Sequence, residues 1–156
     1  MKRFASLCLF LTITAGCGAA ASAGSSALAP ESISWAPALQ VDLPAMERTS
    51  AGVYTRDLVV GDGPQVRRGA RVSVYFAGFL PDGTQIDAVA PPAAPVEFEL
   101  GAGTVIRGWE SGILGMRAGG QRQLVVPAAL AYGGRRVGQV PPNSNLVFII
   151  KLVSAR

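Results

Sequence analysis

The sequence predicts an α+β fold in which a curved antiparallel sheet of about five strands wraps over one short α-helix. Short segments of alternating apolar and polar residues, separated by turn signals, indicate antiparallel strands. The 19 glycines and 11 prolines of the 156-residue chain favour many turns and disfavour long helices. Because only one segment has the spacing of an amphipathic helix, we expect a roll of strands over that helix.

Five segments carry the strand pattern. The clearest is residues 71–79, where Val72, Val74 and Phe76 share one face of the predicted strand. Turn sequences separate the segments, as in residues 81–83, where proline presets φ and glycine supplies a positive φ. The predicted strands are residues 53–60, 71–79, 96–100, 121–126 and 146–153.

The predicted helix spans residues 106–114. Its apolar residues have the spacing that places them on one helical face. Glycine at position 115 follows directly and ends the helix. The predicted face comprises Ile106, Trp109, Ile113 and Leu114.

The residues that the chain lacks exclude several kinds of chemistry. The sequence contains no histidine, which excludes Ser-His-Asp and Cys-His catalysis and most zinc sites. The two cysteines, Cys8 and Cys17, lie at the N-terminus, so the folded part has no thiol, disulfide or cysteine metal site. We therefore expect no cofactor and no metal.

The net charge is modest and does not indicate a nucleic-acid partner. The formal charge of +4 falls to +2 when Lys2 and Arg3 are subtracted as part of a removed leader. The remaining basic residues are almost all arginine and are scattered along the chain rather than clustered. Since a nucleic-acid surface needs a basic patch or stripe, we expect no nucleic-acid binding.

The N-terminus has the pattern of an export signal. Two basic residues precede residues 4–15, an uncharged, mostly apolar run that is shorter than the roughly 20 residues of a membrane-spanning helix. Residues 14–17, Thr-Ala-Gly-Cys, then resemble a bacterial lipobox, in which Cys17 would be diacylated and become the new N-terminus. The alternative is ordinary cleavage after Ala23, at the end of an Ala-Ser-Ala sequence.

We favour lipidation because the spacing from the apolar run suits Cys17 better than Ala23. On this interpretation residues 1–16 are a signal peptide. We expect an extracytoplasmic protein that is anchored to a membrane through a lipid, and to the outer membrane where the cell has one.

Residues 17–47 have the composition of a flexible tether. Residues 18–29 are almost entirely alanine, serine and glycine, and prolines punctuate the remainder. Trp35 stands alone among them, and we interpret it as part of the tether rather than as a docked side chain. The folded domain is therefore predicted to span residues 48–156.

The most informative motif is Val-Ile-Arg-Gly-Trp-Glu at residues 105–110, followed downstream by Ala-Tyr-Gly at residues 131–133. Neither part contains a serine, cysteine or histidine that could act as a nucleophile or base. A tryptophan among apolar residues and glycines indicates a pocket instead. We expect this pocket to act by shape and desolvation, without covalent or proton chemistry.

The order of motifs from residue 52 to residue 153 resembles that of the FKBP-type peptidyl-prolyl cis-trans isomerases. The matching segments keep the family's order and come close to its spacing. Each alone is a weak signal, and together they are highly specific. They are residues 74–78, 82–84, 86–87, 98–101, 105–110, 119–122, 130–133, 140–143 and 146–148.

The resemblance implies an apolar pocket that binds a proline ring. Trp109 matches the floor of this pocket, and Tyr132 matches a hydroxyl on its rim. Asp87 matches the pocket carboxylate, and Ile106 matches a wall residue whose N–H contacts the substrate carbonyl. These four residues are the implied catalytic set. The implied substrate-binding set is Phe76, Ile86, Val96, Val105, Val140 and Phe148.

Three positions depart from the family's usual residues. Phe76 stands where tyrosine is usual, so the hydroxyl that would hold the carboxylate of Asp87 is absent. Ile86 and Val96 stand where aromatic residues are common. We therefore expect a less aromatic pocket that binds macrolide ligands weakly.

The implied activity is peptidyl-prolyl isomerisation that assists the folding of exported proteins. The partners would be proline-containing unfolded or newly exported polypeptides. We expect a monomer, because the long dimerising helices of some periplasmic relatives have no counterpart here. Two alternatives remain: a non-enzymatic chaperone or peptide-binding module on the same fold, and a structural lipoprotein whose pocket has no function.

Overall fold

The computed structural model describes residues 27–156, and within this range seven antiparallel strands form one sheet. The strands are Glu47–Arg48 (β1), Tyr54–Val59 (β2), Arg71–Phe79 (β3), Gln85–Val89 (β4), Val96–Glu99 (β5), Gln121–Val126 (β6) and Leu146–Ala155 (β7). Their order across the sheet is β1-β2-β6-β7-β3-β4, and β5 pairs with the first part of β3. The α-helix in this part of the chain is Arg107–Gly112 (α1).

The alternation of side chains along the central strands builds the core. Val72 and Val74 on β3 are fully buried, as are Ile150 and Leu152 on β7. They pack in one cluster with Trp109 of α1, so the helix covers this face of the sheet. This is the predicted α+β architecture.

The helix is shorter than the predicted 106–114. Ile106 precedes it with an extended backbone, and Gly115 adopts a φ of 81° that turns the chain away. Leu114, predicted to lie on the buried face, is 39% exposed because the helix has already ended. The Arg122 side chain donates to the carbonyls of Gly112 and Leu114 at 3.0 and 3.2 Å, which caps this end.

Residues 27–47 differ from the flexible tether predicted for residues 17–47. We call these residues the strap, because they run across the face of the sheet opposite α1. Leu39 and Met46 are buried there, with Trp35 packed beside them, in a second cluster that includes Val125 and Val147. The apolar residues of this otherwise uncovered sheet face explain why an alanine- and proline-rich segment docks.

Hydrogen bonds fix the strap at several places. The N–H of Ala36 donates to the carbonyl of Pro81 at 2.8 Å. The buried side chain of Gln123 donates to the carbonyl of Leu39 at 2.6 Å, and that of Asn145 donates to the carbonyl of Leu28 at 2.7 Å. Three single turns of 3₁₀ helix shape the strap, at Pro30–Ser32, Pro37–Leu39 and Leu43–Ala45.

Within residues 27–156, no helix is long and apolar enough to cross a membrane. The predicted signal peptide, the lipidation site at Cys17 and the alternative cleavage point after Ala23 all lie outside the described residues.

Candidate active site

A cavity of about 540 Å³ opens between α1, β4 and the loop that follows β6. The four residues of the implied catalytic set all line it, and so do most of the implied substrate-binding residues. The lining residues among these predictions are Phe76, Ile86, Asp87, Val105, Ile106, Trp109, Tyr132 and Phe148.

Aromatic rings form the floor of the cavity. The ring centroid of Trp109 lies 4.9 Å from that of Phe76 and 5.4 Å from that of Phe148, both in edge-to-face geometry. Such pairs stabilise by roughly 0.5–1.5 kcal/mol beyond the area they bury. The buried Nε1 of Trp109 has no hydrogen-bond partner among the described residues, so ring packing alone orients the indole.

Two glycines allow α1 to bring Trp109 to this position. A Cβ atom at Gly108 would lie 2.2 Å from Cγ1 of Val126, and one at Gly112 would lie 2.8 Å from Cδ1 of Leu124. Larger residues at either position would push the helix off β6. The sequence pattern Gly-Trp therefore reflects close contact between the helix and the sheet.

The wall of the cavity is held by the loop before α1. The carboxylate of Glu110 accepts hydrogen bonds from the N–H groups of Gly101 and Gly103. This fixes the loop that ends in Val105 and Ile106, both half-buried. The N–H of Ile106 has no partner among residues 27–156, so it is free to donate to a ligand.

The rim of the cavity includes Tyr132, which follows a single 3₁₀ turn at Ala128–Leu130. Asn145 holds the start of this turn by accepting the N–H of Ala128 at 2.8 Å, and the N–H of Gly133 donates to the carbonyl of Ala128. The Tyr132 hydroxyl has no partner in the described part of the chain. It is therefore available to a bound carbonyl.

Asp87 lies exposed on β4, opposite Gly78 of β3. Its Oδ1 accepts a hydrogen bond from the N–H of Ala88 at 2.8 Å. Phe76 has no hydroxyl to offer, so within the described part of the chain only this backbone N–H orients the carboxylate. Gly78 leaves room for the floor, since a Cβ atom there would lie 2.7 Å from Cε1 of Phe148.

Two implied substrate-binding residues do not line the cavity. Val140 is buried in the main core, and Val96 packs against that core from β5, opposite Val74. Both are apolar side chains that fill space behind the site.

Four residues with no role predicted from the sequence also line the cavity: Thr104, Arg107, Ala131 and Arg135. The first three adjoin assigned residues in the sequence and could have been found by extending the motifs. Arg135 sits in a glycine-flanked loop, where no sequence pattern marks it.

The titratable groups with shifted pKa values lie away from the cavity. Glu31 of the strap accepts a hydrogen bond from the hydroxyl of Tyr54, which lowers the pKa of the carboxyl and raises that of the phenol. Hydrogen bonding from the N–H of Thr84 lowers the pKa of Asp82. Residues 27–156 contain no cluster of His, Cys, Asp or Glu side chains that could hold a metal ion. The cavity itself presents an aromatic floor, with the N–H of Ile106 and the hydroxyl of Tyr132 at its edge.

A curved antiparallel sheet packs over a short helix, and beside them lies a largely apolar cavity that is floored by aromatic rings. Residues 63–153 match the model of the FKBP-type peptidyl-prolyl cis-trans isomerases, and the chain belongs to this family.

The chain is similar both to a relative that it covers almost entirely and to relatives that are much longer than itself. The chain is 41% identical over 118 residues to the FK506-binding protein of Streptomyces anulatus, covering 74% of this chain and 94% of the relative. It is also 41% identical over 113 residues to a peptidyl-prolyl cis-trans isomerase of Saccharomyces cerevisiae, covering 72% of this chain. It spans only 27% of the length of that yeast protein.

Solved structures give the same assignment. The crystal structure of a peptidyl-prolyl cis-trans isomerase from Pseudomonas syringae pv. tomato is 32% identical with a TM-score of 0.65, covering 76% of this chain and 86% of that one. The crystal structure of FkpA from Escherichia coli is 33% identical with a TM-score of 0.65, covering 71% of this chain and 51% of that one.

Proposed function

We propose that this chain catalyses the cis-trans isomerisation of X–Pro peptide bonds. The observation that carries the proposal is the aromatic-floored cavity. At its edge two hydrogen-bond donors, the N–H of Ile106 and the hydroxyl of Tyr132, have no partner among residues 27–156. An apolar floor suits a proline ring, and free donors suit the carbonyl groups beside it.

The mechanism follows from the nature of the barrier. Resonance gives the peptide C–N bond partial double-bond character, and rotation about it costs about 18–20 kcal/mol. A site that binds the twisted amide better than either planar form lowers this barrier, and each 1.4 kcal/mol of differential binding gives roughly tenfold in rate. An apolar floor also disfavours the charge-separated planar form. No proton has to move.

The test is isomerisation of the tetrapeptide Ala-Gln-Pro-Phe, followed by NMR exchange between its cis and trans forms, with the full chain as catalyst. The expected result is acceleration in proportion to enzyme concentration. Peptide binding without acceleration would favour the alternative, a binding module on the same fold. Absence of both would leave only the structural lipoprotein.

We also propose that the protein acts outside the cytoplasm on newly exported polypeptides, anchored by lipid at Cys17. The basic and apolar leader with its lipobox-like end supports this proposal. The native protein should then partition into a detergent phase, and Cys17→Ser should release it or leave it unprocessed. A fully soluble protein that begins at Gly24 would show that cleavage follows Ala23 instead.

We further propose that the protein is a monomer that binds macrolides weakly. The implied residues Phe76, Asp87, Trp109 and Tyr132 already meet in one cavity within a single chain, which supports a site that functions in one copy. The Streptomyces relative is named for FK506 binding, whereas Phe76 here cannot fix Asp87 by a hydroxyl. Light scattering tests the first point. Titration with FK506 tests the second, and Phe76→Tyr should tighten that binding more than it changes isomerisation.

A further inference from the structure

Two arginines lie on the edge of the cavity, and neither is paired with a carboxylate of the described residues. Arg107 and Arg135 both line it and are both exposed. Neither side chain makes an ion pair or hydrogen bond with another described residue. The only carboxylate among the lining residues is Asp87, so the edge carries two positive charges and one negative charge.

Each arginine adjoins a residue that is placed to contact substrate. Arg107 directly follows Ile106, and it is the first residue of α1. Arg135 follows Tyr132 by three positions, and its N–H lies 3.3 Å from the Tyr132 carbonyl. An extended chain advances only about 3.3–3.6 Å per residue, so residues flanking a bound proline remain close to this edge.

We infer that the cavity selects proline sites flanked by an acidic residue and disfavours those flanked by lysine or arginine. The inference rests on the proposed isomerase function, since it names the substrate class of that same site. Exposed charge pairs are weak and screened by salt. The expected preference is therefore about two- to fivefold in kcat/KM between a glutamate peptide and its glutamine counterpart, and it shrinks as ionic strength rises.

The experiment compares the peptides Ala-X-Pro-Phe and Ala-Gln-Pro-X, with X as Glu, Gln or Lys, at low and high salt. The expected order of kcat/KM is Glu above Gln above Lys in at least one series, and this order weakens at high salt. Equal rates for all three residues in both series would overturn the inference while leaving the isomerase function intact.

Three matched variants locate the effect. Arg107→Gln and Arg135→Gln should each reduce the ratio of kcat/KM for the Glu peptide to kcat/KM for the Lys peptide. Both rates in a ratio are measured on the same variant, so the ratio does not depend on how much of that variant is active. Arg136→Gln removes the same charge from an exposed neighbour that does not line the cavity, and it should leave the ratio unchanged. A drop of equal size in Arg136→Gln would overturn the inference, because the effect would then come from the charge of the whole domain.

If no peptide is turned over, the proposed isomerase function is wrong. The charge preference is then measured as the affinity of the protein for fluorescently labelled forms of the same peptides. Tighter binding of the Glu peptide, lost in Arg135→Gln, would still support it. Equal affinities would overturn it.

Discussion

Tyr132 places a hydroxyl at the edge of the cavity with no partner in the described part of the chain. Tyr132→Phe should lower kcat/KM by about tenfold, the scale of one hydrogen bond to the substrate. The melting temperature should change little, because the hydroxyl makes no hydrogen bond to residues 27–156. Unchanged isomerisation in a well-folded variant would contradict the role given to this residue.

Asp87 should matter less than Tyr132. Its carboxylate is exposed, and the N–H of Ala88 is the one hydrogen-bond donor that it has among residues 27–156. Asp87→Ala should therefore reduce kcat/KM by a smaller factor than Tyr132→Phe, when both are measured with the same peptide. A larger loss than that of Tyr132→Phe would mean that the carboxylate acts directly on the substrate.

Sequence motifs identify the cavity residues that carry a distinctive side chain or lie in a distinctive run, such as Trp109 and Tyr132. They do not separate a lining valine from a core valine, because both are buried and apolar. Val96 and Val140 illustrate this, since both pack in or against the core. Arg135 was missed for the opposite reason, because its loop has no periodic pattern.

At the scale of elements, α1 is a six-residue helix that depends on close contact with β6. Gly108→Ala should destabilise the fold by about 1–3 kcal/mol, the usual cost of overpacking, because the added Cβ meets Val126 at 2.2 Å. Urea denaturation measures the loss. The double variant Gly108→Ala/Val126→Ala lacks the clashing atoms. Its loss in the free energy of unfolding should therefore be smaller than the sum of the losses of the two single variants. Strict additivity would show that the helix does not press on β6 at this point.

The strap should contribute to stability as a docked element. Leu39 is 9% exposed and packs in the second cluster, whereas Leu28 is 63% exposed. Leu39→Ala should cost about 2 kcal/mol or more, because it removes buried apolar groups. Leu28→Ala is the matched control and should stay within about 0.5 kcal/mol. Equal, small losses from both substitutions would show that the strap does not hold the sheet in solution.

Elements with strong local patterns were predicted closely, and those stabilised by distant contacts were not. The alternating segments at β3 and β6 have the predicted bounds. β4 lies at the edge of the sheet, where its largely exposed side chains give no clear alternation. The strap docks because of apolar residues on β6 and β7, which its own composition does not reveal.

At the scale of the whole molecule, activity should be nearly flat from about pH 6 to pH 8. The chain contains no histidine. Among residues 27–156, the shifted pKa values of Glu31, Asp82 and Tyr54 all move away from this range. The pKa of Glu31 lies below its ordinary 4.5, so its contribution to stability is present above that value and is lost as pH falls through the folded pKa. The pKa of Tyr54 lies above its ordinary 10.0, so its contribution is present below that value and is lost as pH rises through the folded pKa.

The measurement is kcat/KM for one peptide in buffers of constant ionic strength across this range. A control at each pH is the melting temperature, which should also stay level. A bell-shaped profile between pH 6 and pH 8 would reveal a titrating group in the reaction that the cavity does not show.

The strap and the cavity lie on opposite faces of the sheet, and each holds one of the chain's two tryptophans, Trp35 and Trp109. The intrinsic fluorescence of the protein is therefore the sum of two emitters in separate environments. Trp35→Phe leaves a single fluorophore on the cavity floor, whose emission should shift when a proline peptide fills the site. Trp109→Phe leaves a single fluorophore that reports on detachment of the strap, so binding and strap release can be followed optically as independent events.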